Sequence, residues 1–292
     1  MNKLFLSVAF AAAASVSQAA DLLVTPDSLK ASLNDPKLVL FHVGPKPDFD
    51  KEHIPGARLI AGADLAFPRA EGALILQLLP PDALRDKLQS FGVSDDSRIV
   101  VYFGADWVSP ATRVLFSLDA AGLGDRVSFL DGGLTGWKAS GGAVTDVVKE
   151  PVPGKLTVKG RPEVVIGLDD LRAAMTAKSV RVVDARGTEF YSGASPGSMP
   201  RAGHIPGAAS IPFSSLFAED NTMKPATELE AIFKAAGLSK GDAVVSYCHI
   251  GQQATTVYFA AKRLGLNPRV YDGSWDEWSR KSELPVEPVP VK

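Results

Sequence analysis

Cys248 is the one thiol in a chain of 292 residues, and its setting suits it to chemistry. It follows the β-branched run Ala243 to Tyr247 and opens the segment Cys248-His249-Ile250-Gly251-Gln252-Gln253, after which a helical pattern begins near Ala254. An isolated cysteine is ordinarily a small hydrophobe packed in a core. This one stands at the mouth of a helix N-terminus, where unpaired N–H groups and the positive end of the helix dipole favour an anion. A loop curled around the sulfur is expected to stabilise thiolate over thiol without a neighbouring base, and the same amides, Gly251 among them, could cradle an extra sulfur. His249, Gln252 and Gln253 could add side-chain donors. Arg186 follows the strand pattern Val180 to Asp184 and so lies at the same sheet edge as Cys248. Its planar fork suits the anionic group of a substrate, and the competing role is a salt bridge holding the loops, with Glu189 as partner.

Other chemistries find no support. The four histidines lie far apart and no metal-ligand spacing occurs, so neither a metal nor an organic cofactor is called for. No phosphate-binding Gly-rich loop, hydrolase Gly-x-Ser-x-Gly or dinucleotide fingerprint is present. A cysteine phosphatase would place an arginine six positions after its nucleophile, where this chain has Ala254.

The elements that must position Cys248 are read from periodicity. Val180 to Asp184, Ala243 to Tyr247 and Arg269 to Tyr271 predict strands. Between the first two, Leu229, Ile232, Phe233 and Ala236 share one helical face, with Thr227 and Glu230 as a capping box. Ala254, Val257, Tyr258, Ala261 and Leu264 repeat that spacing and stop at Gly265. Strands alternating with helices predict α/β domains with a parallel sheet flanked by helices, in which ligands bind beyond the carboxyl ends of the strands.

The chain contains this pattern twice. His53-Ile54-Pro55-Gly56-Ala57 recurs as His204-Ile205-Pro206-Gly207-Ala208, Ile99 to Tyr102 resembles Val244 to Tyr247, and Asp131-Gly132-Gly133 with Trp137 resembles Asp272-Gly273-Ser274 with Trp278. Features shared by both copies are expected to build the scaffold: His53 and His204 through loop-organising hydrogen bonds, Trp137 and Trp278 through packing. Trp275 has no counterpart, and core or interface packing is its expected role over lining a cleft. Cys248 and Arg186 also belong to the second copy alone, the first having Phe103 and Gly44 at those places.

The strand-Cys-loop-helix arrangement, the paired His-Ile-Pro-Gly-Ala segments, Asp184-Ala185-Arg186 and the run Asp272 to Trp278 resemble a tandem rhodanese, the thiosulfate and 3-mercaptopyruvate sulfurtransferase family. The resemblance implies two tandem rhodanese-like domains, an inactive first and a catalytic second, with the active site between them. It further implies a cycle in which Cys248 takes the outer sulfur of a donor as a persulfide and passes it to cyanide or a thiol. The expected boundaries are a presequence over 1–20, a first domain without a catalytic cysteine over 21–143, an extended linker over 144–166 and a catalytic domain over 167–292. The chain departs from the family's pattern in two places. His249 and Ile250 match neither the basic residues that follow the cysteine in thiosulfate enzymes nor the small neutral ones of mercaptopyruvate enzymes. Glu189 and Phe190 occupy the stretch where a second arginine is often found, with Arg201 as a possible substitute. Thiosulfate is the favoured donor; the alternatives are 3-mercaptopyruvate as donor, or a non-enzymatic sulfur carrier or binding module.

Composition sets the remaining bounds. A hydrophobic fraction of 46% with 22% charged residues describes a globular protein, and a net charge of −2 without long runs of one sign leaves no footprint for nucleic acid or a membrane surface. Lys3, the apolar stretch Leu4 to Ala14, and the small residues Ser17 and Ala19 have the order of a secretory signal peptide cut before Ala20 or Asp21, which implies a periplasmic protein. The family resemblance implies a monomer acting on a small donor and acceptor.

Overall fold

In a computed structural model that describes residues 21–104 and 108–287, the β-branched runs form two five-stranded sheets whose strands all pair in parallel. The expected signal peptide lies outside the described residues. The first sheet comprises β1 (Leu23–Val24), β2 (Leu38–Val43), β3 (Ala57–Leu59), β4 (Arg98–Phe103) and β5 (Val127–Leu130), in the order β1-β5-β4-β2-β3. The second comprises β6 (Val165–Ile166), β7 (Arg181–Asp184), β8 (Ala209–Ser210), β9 (Ala243–Tyr247) and β10 (Asn267–Tyr271), in the equivalent order β6-β10-β9-β7-β8. Around the first lie α1 (Pro26–Ser32), α2 (Lys46–Lys51), α3 (Pro81–Ser90), α4 (Val108–Leu118) and α5 (Gly133–Ala139). Around the second lie α6 (Leu168–Thr176), α7 (Thr188–Tyr191), α8 (Ala226–Ala235), α9 (Ala254–Arg263) and α10 (Ser274–Arg280).

The period-2 alternation of a strand assigns its side chains to two cores. On β2, Val39, Phe41 and Val43 face α3 and α4, while Leu40 faces Leu29 of α1, Phe49 of α2 and Trp137 of α5. The cores on the α4 and α9 sides are continuous: Phe116 meets Tyr258 at 5.0 Å between ring centroids, and Phe129 meets Phe259 at 5.7 Å. The two domains therefore bury their apolar faces against one another. Polar ties reinforce this seam, with Thr112 Oγ1 2.9 Å from Thr255 Oγ1 and the Tyr258 hydroxyl donating to Asp119 at 2.8 Å. The segment between the domains is pinned to the first, Gly154 donating its amide to Gln89 and Thr157 to Asp95. Its last residues form β6, and no helix among the described residues is long and apolar enough to cross a membrane.

The shared motifs build equivalent corners. His53 Nδ1 lies 2.7 Å from the Phe49 carbonyl and His204 Nδ1 2.7 Å from that of Tyr191, each ring stacked on the aromatic whose carbonyl it meets. Trp137 and Trp278 are buried and donate to the carbonyls of Ala143 and Pro285. The α9 stop at Gly265 also holds, with Gly265 at φ +74° and the Leu266 amide reaching back to Ala261. The capping box does not form. Pro225 takes the N-cap position of α8 with no side-chain cap, so Thr227 falls inside the first turn.

One corner differs. Tyr102 and Tyr247 accept the amides of Ile54 and Ile205, each at 3.0 Å, but the residue paired with the tyrosine on the next strand is Asp184 in the second sheet and His42 in the first. Tyr247 donates to Asp184 at 2.7 Å. His42 is buried edge-on to Phe49 and Tyr102, and neither ring nitrogen has a hydrogen-bond partner among the described residues. Burial, and then the neighbouring His53, push its pKa down to about 4. A histidine depressed in the fold keeps its full stabilising effect above its unfolded value near 6.5 and loses it as pH falls toward the folded value. His42→Leu should therefore abolish about 2 to 3 kcal/mol of the stability that the parent loses between about pH 7 and 4.5. Urea unfolding at the two pH values measures this, and an unchanged pH dependence in the variant would contradict it.

Candidate active site

Cys248 leaves the carboxyl end of β9 and the chain turns through six residues into α9. The outside of this loop is held by the start of α10. Ser274 Oγ accepts the Cys248 amide at 3.3 Å, the Trp275 amide donates to the Cys248 carbonyl at 2.9 Å, and the Asp276 amide donates to the His249 carbonyl at 2.8 Å. At the far end the Thr255 hydroxyl donates to the Gln252 carbonyl at 2.6 Å. Gly251 sits at φ +76°, a conformation that lets the chain curl and that a side chain rarely adopts. With its carbonyls engaged outside, the loop directs the amides of Ile250, Gly251, Gln253 and Ala254 at the sulfur.

The electrostatics correct one expectation. Burial pushes the Cys248 thiol up, and the four amides work against that without reversing it. The loop is dry enough that the loss of hydration outweighs the donors, as expected for a residue 1% exposed. The amides offset part of the cost of an anion at this buried position.

Arg186 reaches the same sheet edge, and the salt-bridge partner expected from sequence is also corrected. Its partner is Asp184, not Glu189. Nε lies 3.0 Å and 3.1 Å from the two carboxylate oxygens, and Nη2 donates to Asp184 at 2.6 Å and to the Gly203 carbonyl at 2.7 Å. The guanidinium stacks over Trp275 at 4.6 Å, a cation–π contact that also settles Trp275 as a buried platform. Nη1 makes none of these bonds, and Cys248 is among the groups that favour the charge of Arg186.

The remaining candidates divide. The amides of Gly251 and Gln253 belong to the ring around the sulfur, whereas the Gln253 Oε1 is buried with no partner among the described residues, and Gln252 contributes its carbonyl to Thr255. His249 turns its ring edge-on to Phe190 at 4.5 Å between centroids. Burial, then Arg186, lower its pKa, so His249 is a neutral wall and no cation near pH 7. Arg201 does not replace the absent arginine. Its guanidinium is spent on the carbonyls of Trp278, Ser279, Lys281 and Leu284, where it caps the end of α10. A cleft of about 460 Å³ between the domains is lined by Gln77, Leu78, Val165, Asp272 and Glu277 among others, and Cys248 is not part of its wall.

Sequence reasoning missed Arg113 and the role of Asp272. Arg113 lies in α4 of the first domain, fully buried, and donates to the Gly251 carbonyl at 3.0 Å and to Asp272 at 2.7 Å. The available signal was a lone charged residue in the helix Val108 to Leu118.

Comparison with known proteins agrees with this architecture. The family described as "Rhodanese-like domain" matches residues 25–140 and again 167–281. The 3-mercaptopyruvate sulfurtransferase of Escherichia coli (strain K12) is 31% identical over 241 residues, covering 81% of this chain and 84% of that protein. Thiosulfate/3-mercaptopyruvate sulfurtransferase 2 of Arabidopsis thaliana is 29% identical over 268 residues, covering 83% and 77%. The crystal structure of SseA from Escherichia coli superposes with a TM-score of 0.77 at 26% identity, covering 88% of this chain and 99% of that one. With the duplicated parallel sheets and a cysteine loop in the second copy, the chain belongs to the rhodanese-like family as a tandem-domain sulfurtransferase.

Proposed function

We propose that the protein moves the outer sulfur of thiosulfate through a persulfide on Cys248 to cyanide or a thiol. The observation that carries this reading is the convergence of four loop amides on the sulfur of the chain's sole cysteine. In the first half-reaction the Cys248 thiol gives up its proton to solvent and attacks the outer sulfur of thiosulfate as the thiolate; the new S–S bond forms as the donor's S–S bond breaks, and the electron pair leaves with sulfite. In the second, cyanide takes the outer sulfur of the persulfide, giving thiocyanate and returning the thiolate. No oxidant is consumed, and the two steps give ping-pong kinetics.

The donor assignment rests on charge. A compact dianion can be met by amides at a helix N-terminus together with one guanidinium. Arg186 is that cation, held by Asp184 beside a neutral His249 and an apolar Phe190. A planar 2-oxo carboxylate would gain from two spaced cations. The second reading, 3-mercaptopyruvate as donor, is favoured by the name of the Escherichia coli relative. The small-residue cleavage pattern supports export to the periplasm, and the apolar seam between the domains supports a monomer that is closed on itself, with no role for nucleic acid or membrane.

Steady-state sulfur transfer from thiosulfate and from 3-mercaptopyruvate, each with cyanide and with a thiol acceptor, tests the assignment. Thiosulfate should give the higher kcat/KM and Cys248→Ser should be inactive with every pair. Retained turnover in Cys248→Ser would reject the persulfide, and a preference for mercaptopyruvate would reject the donor. Arg186→Lys keeps the charge but loses the fork, so the thiosulfate kcat/KM should fall by about one to two powers of ten, equivalent to about 1.5 to 3 kcal/mol. An unchanged kcat/KM would leave Arg186 with its structural ion pair alone. N-terminal sequencing of exported protein should begin at Ala20 or Asp21, and recovery solely of the Met1 form in the cytoplasm would contradict export.

A further inference from the structure

The domain without a cysteine reaches the reactive loop. Arg113, on α4, is buried to 0% exposure and spreads its fork over three acceptors: the Gly251 carbonyl at 3.0 Å, Asp272 Oδ1 at 2.7 Å and the Leu76 carbonyl at 2.6 Å. Gly251 belongs to the ring around Cys248 and turns its amide toward the sulfur while its carbonyl points the other way, at Arg113. The fit at this point is tight. A side chain at position 251 would place its Cβ 3.0 Å from Arg113 Nη1 and 3.1 Å from both the carbonyl and the carboxylate oxygen of Asp272, in a backbone conformation that already excludes most residues.

Asp272 collects further bonds from the first domain. The Leu78 amide donates to its second carboxylate oxygen at 2.8 Å, Gln77 Nε2 donates to its carbonyl at 2.9 Å, and the Ile75 amide donates to Asp276 at 3.2 Å. Asp272 and Asp276 flank the turn into α10, whose first amides hold the carbonyls of Cys248 and His249. The loop is thus held from two sides, through Gly251 by Arg113 directly and through the start of α10 by the Asp272 cluster.

We propose that Arg113 is a positioning residue, by which the cysteine-free domain holds the Cys248 loop in the shape that turns its amides toward the sulfur. The proposal rests on the reading of Cys248 as the sulfur carrier. It differs from a general stabilisation of the domain seam. Arg113 gives the Gly251 carbonyl a donor from the first domain, whereas Tyr258 of α9 and Asp119, just past the end of α4, tie the two domains together away from the loop. Arg113 touches neither donor nor acceptor and acts through the peptide it holds. Without it, the Gly251 carbonyl is left buried without its donor and would be free to rotate toward any other, carrying the neighbouring amides with it.

Alkylation of Cys248 in the full chain tests this, because the chain has no other thiol and the reaction needs no sulfur donor. The rate with iodoacetamide is followed against pH for the parent, Arg113→Lys, Arg113→Met and Tyr258→Phe, each checked for cooperative unfolding. Arg113→Met should move the midpoint upward by about one pH unit and slow alkylation near neutral pH by about tenfold. Arg113→Lys keeps the charge but cannot serve all three acceptors, and should show about half that shift. Tyr258→Phe should lower the melting temperature and leave the alkylation profile unmoved. If Arg113→Met does not fold, Arg113→Lys decides. An Arg113→Lys profile equal to the parent's would overturn the proposal, since charge alone would then suffice, and an equal shift in Tyr258→Phe would overturn it by reducing Arg113 to seam stability. Loss of the sulfur-carrier reading itself would appear separately, as turnover in Cys248→Ser.

Discussion

A six-residue loop can turn its amides inward to meet one sulfur only if its carbonyls find partners outside. In this protein those partners come from three places. The start of α10 donates to Cys248 and His249, Thr255 to Gln252, and Arg113 of the other domain to Gly251. Each bond alone contributes about 1 kcal/mol, and leaving one buried carbonyl unpaired costs more than making it gains. The shape of the loop therefore depends on the docking of α4 beside α9 and on the position of the first turn of α10. The continuous core through Phe116, Phe129, Tyr258 and Phe259 makes that docking a property of the fold.

Duplication explains why a domain that lacks the cysteine is nonetheless built with the same care. Its histidine, tyrosine and tryptophan corners repeat those of the second domain almost bond for bond. The differences lie where the second domain holds its charged groups. Asp184 and Arg186 form a buried pair beside Cys248, and the first domain has His42 and Gly44 in their places. Breaking such a pair by removing one partner leaves a buried charge and costs about 3 to 5 kcal/mol. Replacement of both partners, as the first domain displays, avoids that cost but leaves a histidine whose nitrogens go unpaired among the described residues. The charged pair is kept in the domain that holds Cys248.

The legible parts of the sequence were those fixed by neighbours along the chain. Strand alternation, the helical face ending at Gly265, the repeated His-Ile-Pro-Gly-Ala corners and the Cys248 loop all depend on residues within a few turns of one another, and the fold reproduces them. The misreadings share a cause. Thr227 looked like a cap because its spacing to Glu230 is right, but Pro225 had already taken that position. Glu189 looked like the partner of Arg186 because it is close and acidic, whereas Asp184 shares the strand end and is fully buried with it. Arg201 carried the right charge for a substrate, yet the end of α10, some 80 residues on, supplies four carbonyls to it. Arg113 and Asp272 were invisible because their pairing spans 159 residues and no local pattern encodes it. The thiol's response to burial could not be read either, since periodicity tells where a loop begins but not how dry it is.

The central claim is that the amide-lined loop lets Cys248 hold a second sulfur, and mass analysis of the loaded protein tests it most directly. Protein incubated with thiosulfate and freed of it without any acceptor should carry one added sulfur atom, located on the peptide that contains Cys248. Cyanide should remove it with release of an equal amount of thiocyanate. Active protein that carries no added sulfur under these conditions, or whose added sulfur lies on another peptide, would contradict the account.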